Sequence, residues 1–224
     1  ERGARVQFLS NKPIARREGY AEKLTKLGIP CAPEDVMNSP LASARYLAAE
    51  HPGKRVMAMG EAALRDLLTE AGVELTDSVE DTDIVLVSWD REVTWPQMDA
   101  AHQALRRGAR FFGTNPDTVC PLEGGRTVPD AGAMIAYLEA STDRKLEVMI
   151  GKPSPIITQM ALAQIGLSAG QCLMVGDRLG TDIAMGRTCG LDTALVLTGV
   201  TTREDLQSAA EKPTWVLDSV AEIE

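Results

Sequence analysis

The chain has 224 residues, enough for one large domain or two small ones that each bury a core. With 44% hydrophobic and 25% charged residues, it has the composition of an ordinary soluble globular protein. A net charge of −9 argues against a broad nucleic-acid surface, which needs clustered Lys and Arg, but leaves room for a small anion held by one lysine, a metal and helix N-termini.

The cysteines Cys31, Cys120, Cys172 and Cys189 form no C-x-x-C pair, and His51 and His102 are the only histidines, so no zinc site is expected. The pattern suits reduced thiols and a cytoplasmic protein, with Cys172 in the core. No run approaches the roughly 18 apolar residues of a membrane span. The first residue is Glu1, and Val6–Leu9 already reads as a buried strand. A preceding segment is therefore expected, and a signal peptide is not excluded.

In chain order, the strand Val6–Leu9 ends in Ser10-Asn11-Lys12-Pro13. A helix follows with apolar positions Ile14, Tyr20, Leu24 and Leu27, closed by Gly28, and a second spans Leu41–Ala49 up to His51-Pro52-Gly53. A new alternation then begins: strand Arg55–Met59, helix Glu61–Ala71, strand Ile84–Val87, helix Pro96–Arg107, strand Arg110–Gly113 and helix Gly132–Ala140. Glu147–Ile150 reads as a return to the first alternation, leading to Gly151-Lys152-Pro153 and a helix Ser154–Ile165. Cys172–Val175 is an apolar strand broken by Gly176, with Asp177 next and a helix opening at Thr181-Asp182. Ala194–Leu197 is the last clear strand. The β-then-α order predicts an α/β fold with a doubly wound parallel sheet: a core in two parts, 1–53 and 147–224, and an inserted α/β domain at 54–146.

Polar groups fall at or near three strand ends of the presumed core: Ser10-Asn11, Lys152, and Asp177 with Asp182. Parallel sheets gather such ends on one edge, where ligands bind. Hydroxyl, amide, ammonium and paired carboxylates suit a Mg²⁺-assisted phosphate site, since Mg²⁺ takes a few carboxylates plus phosphate and water. Each group alone has a plainer reading: Ser10-Asn11 as a turn or cap, Lys152 as a loop lysine, Asp182 as a first-turn carboxylate favoured by the helix dipole. The set in order carries the argument.

These segments resemble the haloacid dehalogenase (HAD) superfamily of phosphatases, class IIA, the NagD, 4-nitrophenylphosphatase and pyridoxal-phosphate phosphatase type. Phe8-Leu9-Ser10-Asn11 is similar to the second motif, Gly151-Lys152-Pro153-Ser154-Pro155 to the third, and Val175-Gly176-Asp177-Arg178-Leu179-Gly180-Thr181-Asp182-Ile183 to the fourth. Asp90-Arg91-Glu92, Thr114-Asn115-Pro116-Asp117 and Leu197–Thr202 also look like family segments, so the likeness spans the chain. It implies a HAD-like core with a cap over the active site, matching the insertion. Ser10 and Asn11 would bind the transferring phosphoryl group and Lys152 would neutralise its charge. Asp177 would ligate Mg²⁺, with Asp182 supporting it directly or through water, and Arg178, Leu179, Gly180 and Thr181 would border the substrate. Cap-to-cap homodimers occur in the family, although no stripe in this sequence demands one.

One departure matters. The family's first motif, D-x-D-G, supplies an Asp nucleophile and a second Asp as acid/base, and no D-x-D-G occurs among the 224 residues. In such a fold it would lie one strand and helix upstream of Ser10, before Glu1, so the chain is expected to be N-terminally truncated and inactive by itself. The expected function is hydrolysis of a small phosphorylated metabolite through an aspartyl-phosphate. The rival is a non-catalytic phosphate-binding or regulatory protein of the same fold; a nucleotide-binding oxidoreductase lacks the G-x-G-x-x-G it needs. Asp90-Arg91 and Asn115-Pro116-Asp117 follow strands and could reach the substrate, although the second reads rather as a turn. Trp89 and Trp95 read as packing residues.

Overall fold

The structure, a computed structural model, describes residues 3–210 and 212–223. It divides into two compact units, one running to Gly151 and the other starting at Lys152.

The first unit opens with β1 (Phe8–Ser10), α1 (Arg17–Lys26), β2 (Val36–Asn38) and α2 (Ser39–Glu50), with β1 and β2 paired in parallel from Phe8↔Val36 to Ser10↔Asn38. Asn38 closes β2 and starts α2: its side chain accepts from Leu41 N, satisfying one of the backbone donors a helix start leaves open. The chain continues as β3 (Arg55–Met59), α3 (Ala62–Glu70), β4 (Glu74–Leu75), β5 (Ile84–Val87), α4 (Trp95–Arg106), β6 (Arg110–Gly113), the hairpin β7 (Val119–Pro121) and β8 (Thr127–Pro129), α5 (Ala131–Thr142) and β9 (Val148–Met149). A five-stranded parallel sheet runs β4-β3-β5-β6-β9. All four residues of β5 are buried, as expected of a central parallel strand covered on both faces. Val85, Val87, Leu105, Phe111, Ile135 and Leu138 form its core with α4 and α5.

The second unit holds α6 (Pro155–Ile165), β10 (Leu173–Gly176), α7 (Ala184–Thr188), β11 (Asp192–Val196), α8 (Arg203–Ser208) and β12 (Trp215–Leu217), with a parallel sheet ordered β10-β11-β12. Ser154 caps α6 by accepting from Ile156 N, with Pro155 in the first turn, and Gly166 ends it at φ 69°. The mixed α/β architecture with parallel sheets is the one the alternation predicts. No helix among the described residues is long and apolar enough to cross a membrane.

Several details differ from the sequence reading. Val6 is 63% exposed, and β1 starts only at Phe8. Val148–Met149, expected to resume the first alternation, pairs with Phe112–Gly113 at the edge of the five-stranded sheet. Glu147 is drawn there by Arg110, whose Nε donates to it at 2.9 Å. The apolar run entering the fourth motif is less buried than expected: Cys172 is half-buried and Leu173 41% exposed.

Gly132 lets the start of α5 close on the loop after β6. Its N–H donates to Asp117 O at 2.8 Å, and a Cβ there would lie 2.3 Å from Pro116 O. Gly132→Ala is expected to lower the unfolding free energy by about 1–3 kcal/mol, read from urea denaturation. An unchanged midpoint would show that the loop yields without cost.

Candidate functional site

Asp177 follows β10 directly and is fixed by the loop after β11. Its carbonyl accepts from Thr201 N at 3.0 Å and its Oδ2 from Val200 N at 2.8 Å. Thr201 Oγ1 in turn accepts from Leu179 N at 3.3 Å. The approach is so close that a Cβ on Gly199 would sit 2.1 Å from Asp177 Oδ2. Val200 N therefore aims the carboxylate, while Thr201 N fixes the backbone that carries it.

Asp182 is buried, and its two oxygens have separate partners. Oδ1 lies 2.7 Å from Lys152 Nζ, and Oδ2 accepts from Arg178 N at 3.2 Å. Gly176 makes space for it, since a Cβ there would lie 2.3 Å from Asp182 Cβ. These contacts explain why the helical segment opens earlier than Thr181-Asp182. A π-turn over Leu179–Ile183 precedes α7, so Asp182 lies inside a widened turn rather than at a helix start. Such turns recur at functional sites. Arg178, Leu179 and Thr181 are half-buried on this segment and Gly180 is exposed.

The donor set fits a hard cation. Asp177 and Asp182 offer only carboxylate oxygens, and Mg²⁺ bound by few protein ligands keeps water and phosphate in its other positions. Among the described residues no three His, Cys, Asp or Glu side chains gather as a ready-made cage. Both Asp182 oxygens are engaged by Lys152 and Arg178 N, so Asp182 organises the turn and the lysine, and Asp177 would be the more direct holder of a cation.

In the first unit, Ser10 ends β1 and Asn11 follows, buried. Ser10 Oγ accepts from Lys12 N at 3.2 Å, the turn expected of it. Asn11 is held on three sides: its carbonyl accepts from Ser39 Oγ at 2.6 Å, its Nδ2 donates to Asp117 Oδ2 at 3.0 Å, and its Oδ1 faces Gly151, where a Cβ would lie 2.6 Å away. Tyr20 Oη donates to Lys12 O at 2.8 Å, and burial pushes this phenol up to about 12.

Asn115-Pro116-Asp117 is more than a turn. Asn115 is fully buried; its Nδ2 donates to Asp130 Oδ1 at 3.0 Å, and its Oδ1 lies 2.8 Å from Thr114 Oγ1, which is 2.9 Å from Ser88 Oγ. The polar seam runs from the ends of β5 and β6 through Asp117 to Asn11. Sequence reasoning missed it because asparagine and aspartate after a strand look alike whether they cap a turn or reach across it. The only available signal was two such residues bracketing a proline. Likewise Gly199-Val200-Thr201 stood out as a family segment, but its role as the clamp on Asp177 depends on a backbone approach that spacing does not reveal. Asp90 Oδ1 accepts from Glu92 N at 2.8 Å, and Arg91 forks onto Glu61 at 2.6 and 2.7 Å. Trp89 is buried as expected, whereas Trp95 is 72% exposed, edge-on to Tyr137. Asp81 and Asp83 form the chain's one Asp-x-Asp, but they precede β5 rather than follow a strand, and Arg55 and Lys54 hold them.

Asp130 caps α5 through Ala131 N at 2.6 Å. Burial raises its pKa, with the Asn115 and Ala131 donors opposing and Asp117 adding to the rise. An acid with a raised folded pKa ionises more readily in the unfolded chain, so stability falls as pH rises above the ordinary Asp value near ~3.9. Asparagine keeps the cap without the charge. From about pH 3 to about pH 7, the wild type should lose stability relative to Asp130→Asn in thermal or urea melts. A pH-independent difference between the two would contradict this.

Comparison with known proteins places the chain in a family. Residues 1–74 match the family described as haloacid dehalogenase-like hydrolase, and residues 149–223 the one described as HAD-hydrolase-like. The chain is 37% identical to the 5'-nucleotidase YutF of Bacillus subtilis over 222 residues, covering 99% of this chain and 85% of that protein. It is 37% identical to an acid sugar phosphatase of Staphylococcus aureus over 221 residues, 97% of this chain and 84% of that one. The structure of NagD from E. coli K-12 superposes with a TM-score of 0.89 at 35% identity, over 98% of this chain and 84% of NagD. The chain therefore belongs to the haloacid dehalogenase superfamily, in its class IIA of hydrolases acting on phosphoric monoesters.

Proposed function

We infer that the protein is a Mg²⁺-dependent phosphatase of small phosphorylated metabolites, working in the cytoplasm. What carries this reading is the triad at the end of β10: Asp177, its carboxylate aimed by Val200 N and its backbone fixed by Thr201 N, and Asp182 buried against Lys152 at 2.7 Å. It places one ammonium and two carboxylates where a parallel sheet binds ligands.

In this reading the phosphoryl group leaves the ester oxygen for an aspartate preceding residue 1, since no D-x-D-G occurs in the sequence. The P–O bond to the alcohol breaks as the acyl-phosphate bond forms, and the departing oxygen takes a proton from the motif's second aspartate. Water then cleaves the acyl phosphate, releasing orthophosphate and restoring the carboxylate. Ser10 and Asn11 hold the phosphoryl oxygens, and the fixed amide of Asn11 needs no reorganisation to do so. Lys152 supplies positive charge where negative charge gathers, and its partner Asp182 keeps the ammonium from folding away. Asp177, with help from Asp182, would hold Mg²⁺, which would supply charge neutralisation for the phosphoryl group. Arg178 to Thr181 border the substrate. The five-stranded α/β layer serves as the cap, shielding the reaction from water and selecting the leaving group.

The second reading is a non-catalytic phosphate-binding or regulatory protein of the same fold. The reading frame upstream of Glu1 separates the two: an Asp-x-Asp-Gly there supports the enzyme.

For the complete gene product, orthophosphate release is expected to need Mg²⁺ and to stop in EDTA. Lys152→Ala should lower kcat/KM by about 100-fold or more, the scale seen when one stabilising group is removed from a transition state. Full turnover in EDTA, or an unaffected Lys152→Ala variant, would overturn the reading.

A further inference from the structure

At the amino ends of β5 and β6, opposite the ends that carry Trp89 and Asn115, lies a cavity of about 420 Å³. Small-molecule sites span about 300–1,000 Å³. Its walls are the turn after α2, the loop before β5 and the turn after α4, all in the first unit. The lining carries the cations Lys54, Arg107 and Arg110, the carboxylates Glu80 and Asp83, and the imidazole of His51. Thr82, the apolar Val79 and Ile84, and Gly108-Ala109 complete it.

Most of these groups are already matched. Asp83 accepts from Lys54 Nζ at 3.3 Å through one oxygen and from Arg55 N at 2.9 Å through the other. Arg110 Nε donates to Glu147 at 2.9 Å, with its guanidinium over the Phe112 ring. Thr82 Oγ1 donates to Ser78 O at 2.7 Å. Three polar groups are left over. Arg107 and Glu80, both exposed, make no side-chain hydrogen bond or ion pair among the described residues. His51 Nε2 is buried and has no partner among them either. Burial, with Arg110 and Lys54 adding and Glu50 opposing, lowers the His51 pKa, so the ring is neutral at pH 7 and Nε2 donates or accepts according to its tautomer. These leftovers specify a ligand. A guanidinium and a carboxylate that do not pair with each other are complemented by a molecule carrying both charges. A simple anion would face Glu80, and a simple cation would face Arg107. A ring nitrogen of either role is matched by a primary amide, which offers both a donor and an acceptor.

We propose that this cavity binds a free α-amino acid, its carboxylate on Arg107, its ammonium on Glu80 and a side-chain amide at His51. The site does not depend on the phosphatase reading. It lies at the edge of the five-stranded layer opposite the one that carries Asp117.

The probe is L-glutamine, titrated calorimetrically into the complete gene product. Three analogues each lack one group: 4-aminobutanamide the carboxylate, 4-carbamoylbutanoate the ammonium, and L-norvaline the amide. Glutamine should bind with a Kd of about 1 mM or tighter, and each analogue about 5-fold or more weaker, the least that one lost hydrogen bond to a charged or buried partner should cost. Arg107→Ala and Glu80→Gln change exposed side chains, where folding should tolerate them, and each should weaken glutamine to the same extent. Trp95→Ala, outside the cavity, should not. No binding at about 10 mM glutamine, analogues that bind as well, or a titration that either lining variant leaves unmoved would overturn the proposal. None of these results bears on orthophosphate release, so the phosphatase reading stands or falls separately.

Discussion

The site in the second unit depends on one buried ion pair, Lys152 Nζ to Asp182 Oδ1 at 2.7 Å. Asp182 is withdrawn from water and Lys152 only partly so, and removing the lysine would leave the buried carboxylate unmatched. The remaining oxygen of Asp182 takes Arg178 N, so the same carboxylate shapes the widened turn that follows Asp177. The pair thus ties the third motif to the fourth. Gly176 and Gly199 are the backbone conditions for this packing, each facing a carboxylate that a Cβ would displace.

The first unit applies the same physics with neutral groups. Asn11 is fixed by Ser39, Asp117 and the surface of Gly151, so its amide is set before any ligand arrives. Because Asp117 belongs to the loop after β6, the Ser10-Asn11 turn and the five-stranded layer share one buried polar seam. In low dielectric such a network is costly when incomplete and rigid when satisfied. That rigidity is what a site acting by charge placement needs.

Much of this was legible in the sequence, and the reasons differ by residue. Parallel strands flanked by helices showed themselves through apolar runs such as Ile84–Val87, because a strand buried on both faces must be apolar throughout. Asp177 and Lys152 stood out by position after apolar strands and by order along the chain. The short strands β2, β4 and β12 did not, since two or three residues carry no period. The placement of β9 failed for a related reason. Which sheet a short strand joins depends on partners such as Arg110 and Phe112, far away in sequence. The reach of Asp117 to Asn11, 106 residues apart, and the clamp of Gly199-Val200 on Asp177 are tertiary facts with no local signature.

In the proposed chemistry the Asp177 carboxylate, held by Val200 N, is the group through which the metal would act. Asp177→Asn keeps its size and its acceptor for Val200 N and removes the charge. The decisive measurement is the Mg²⁺ dependence of orthophosphate release by this variant of the complete gene product. The account predicts a loss of about 100-fold or more in kcat/KM, a weakened response to Mg²⁺ and a nearly unchanged melting temperature. Wild-type turnover at wild-type Mg²⁺ concentrations would contradict it.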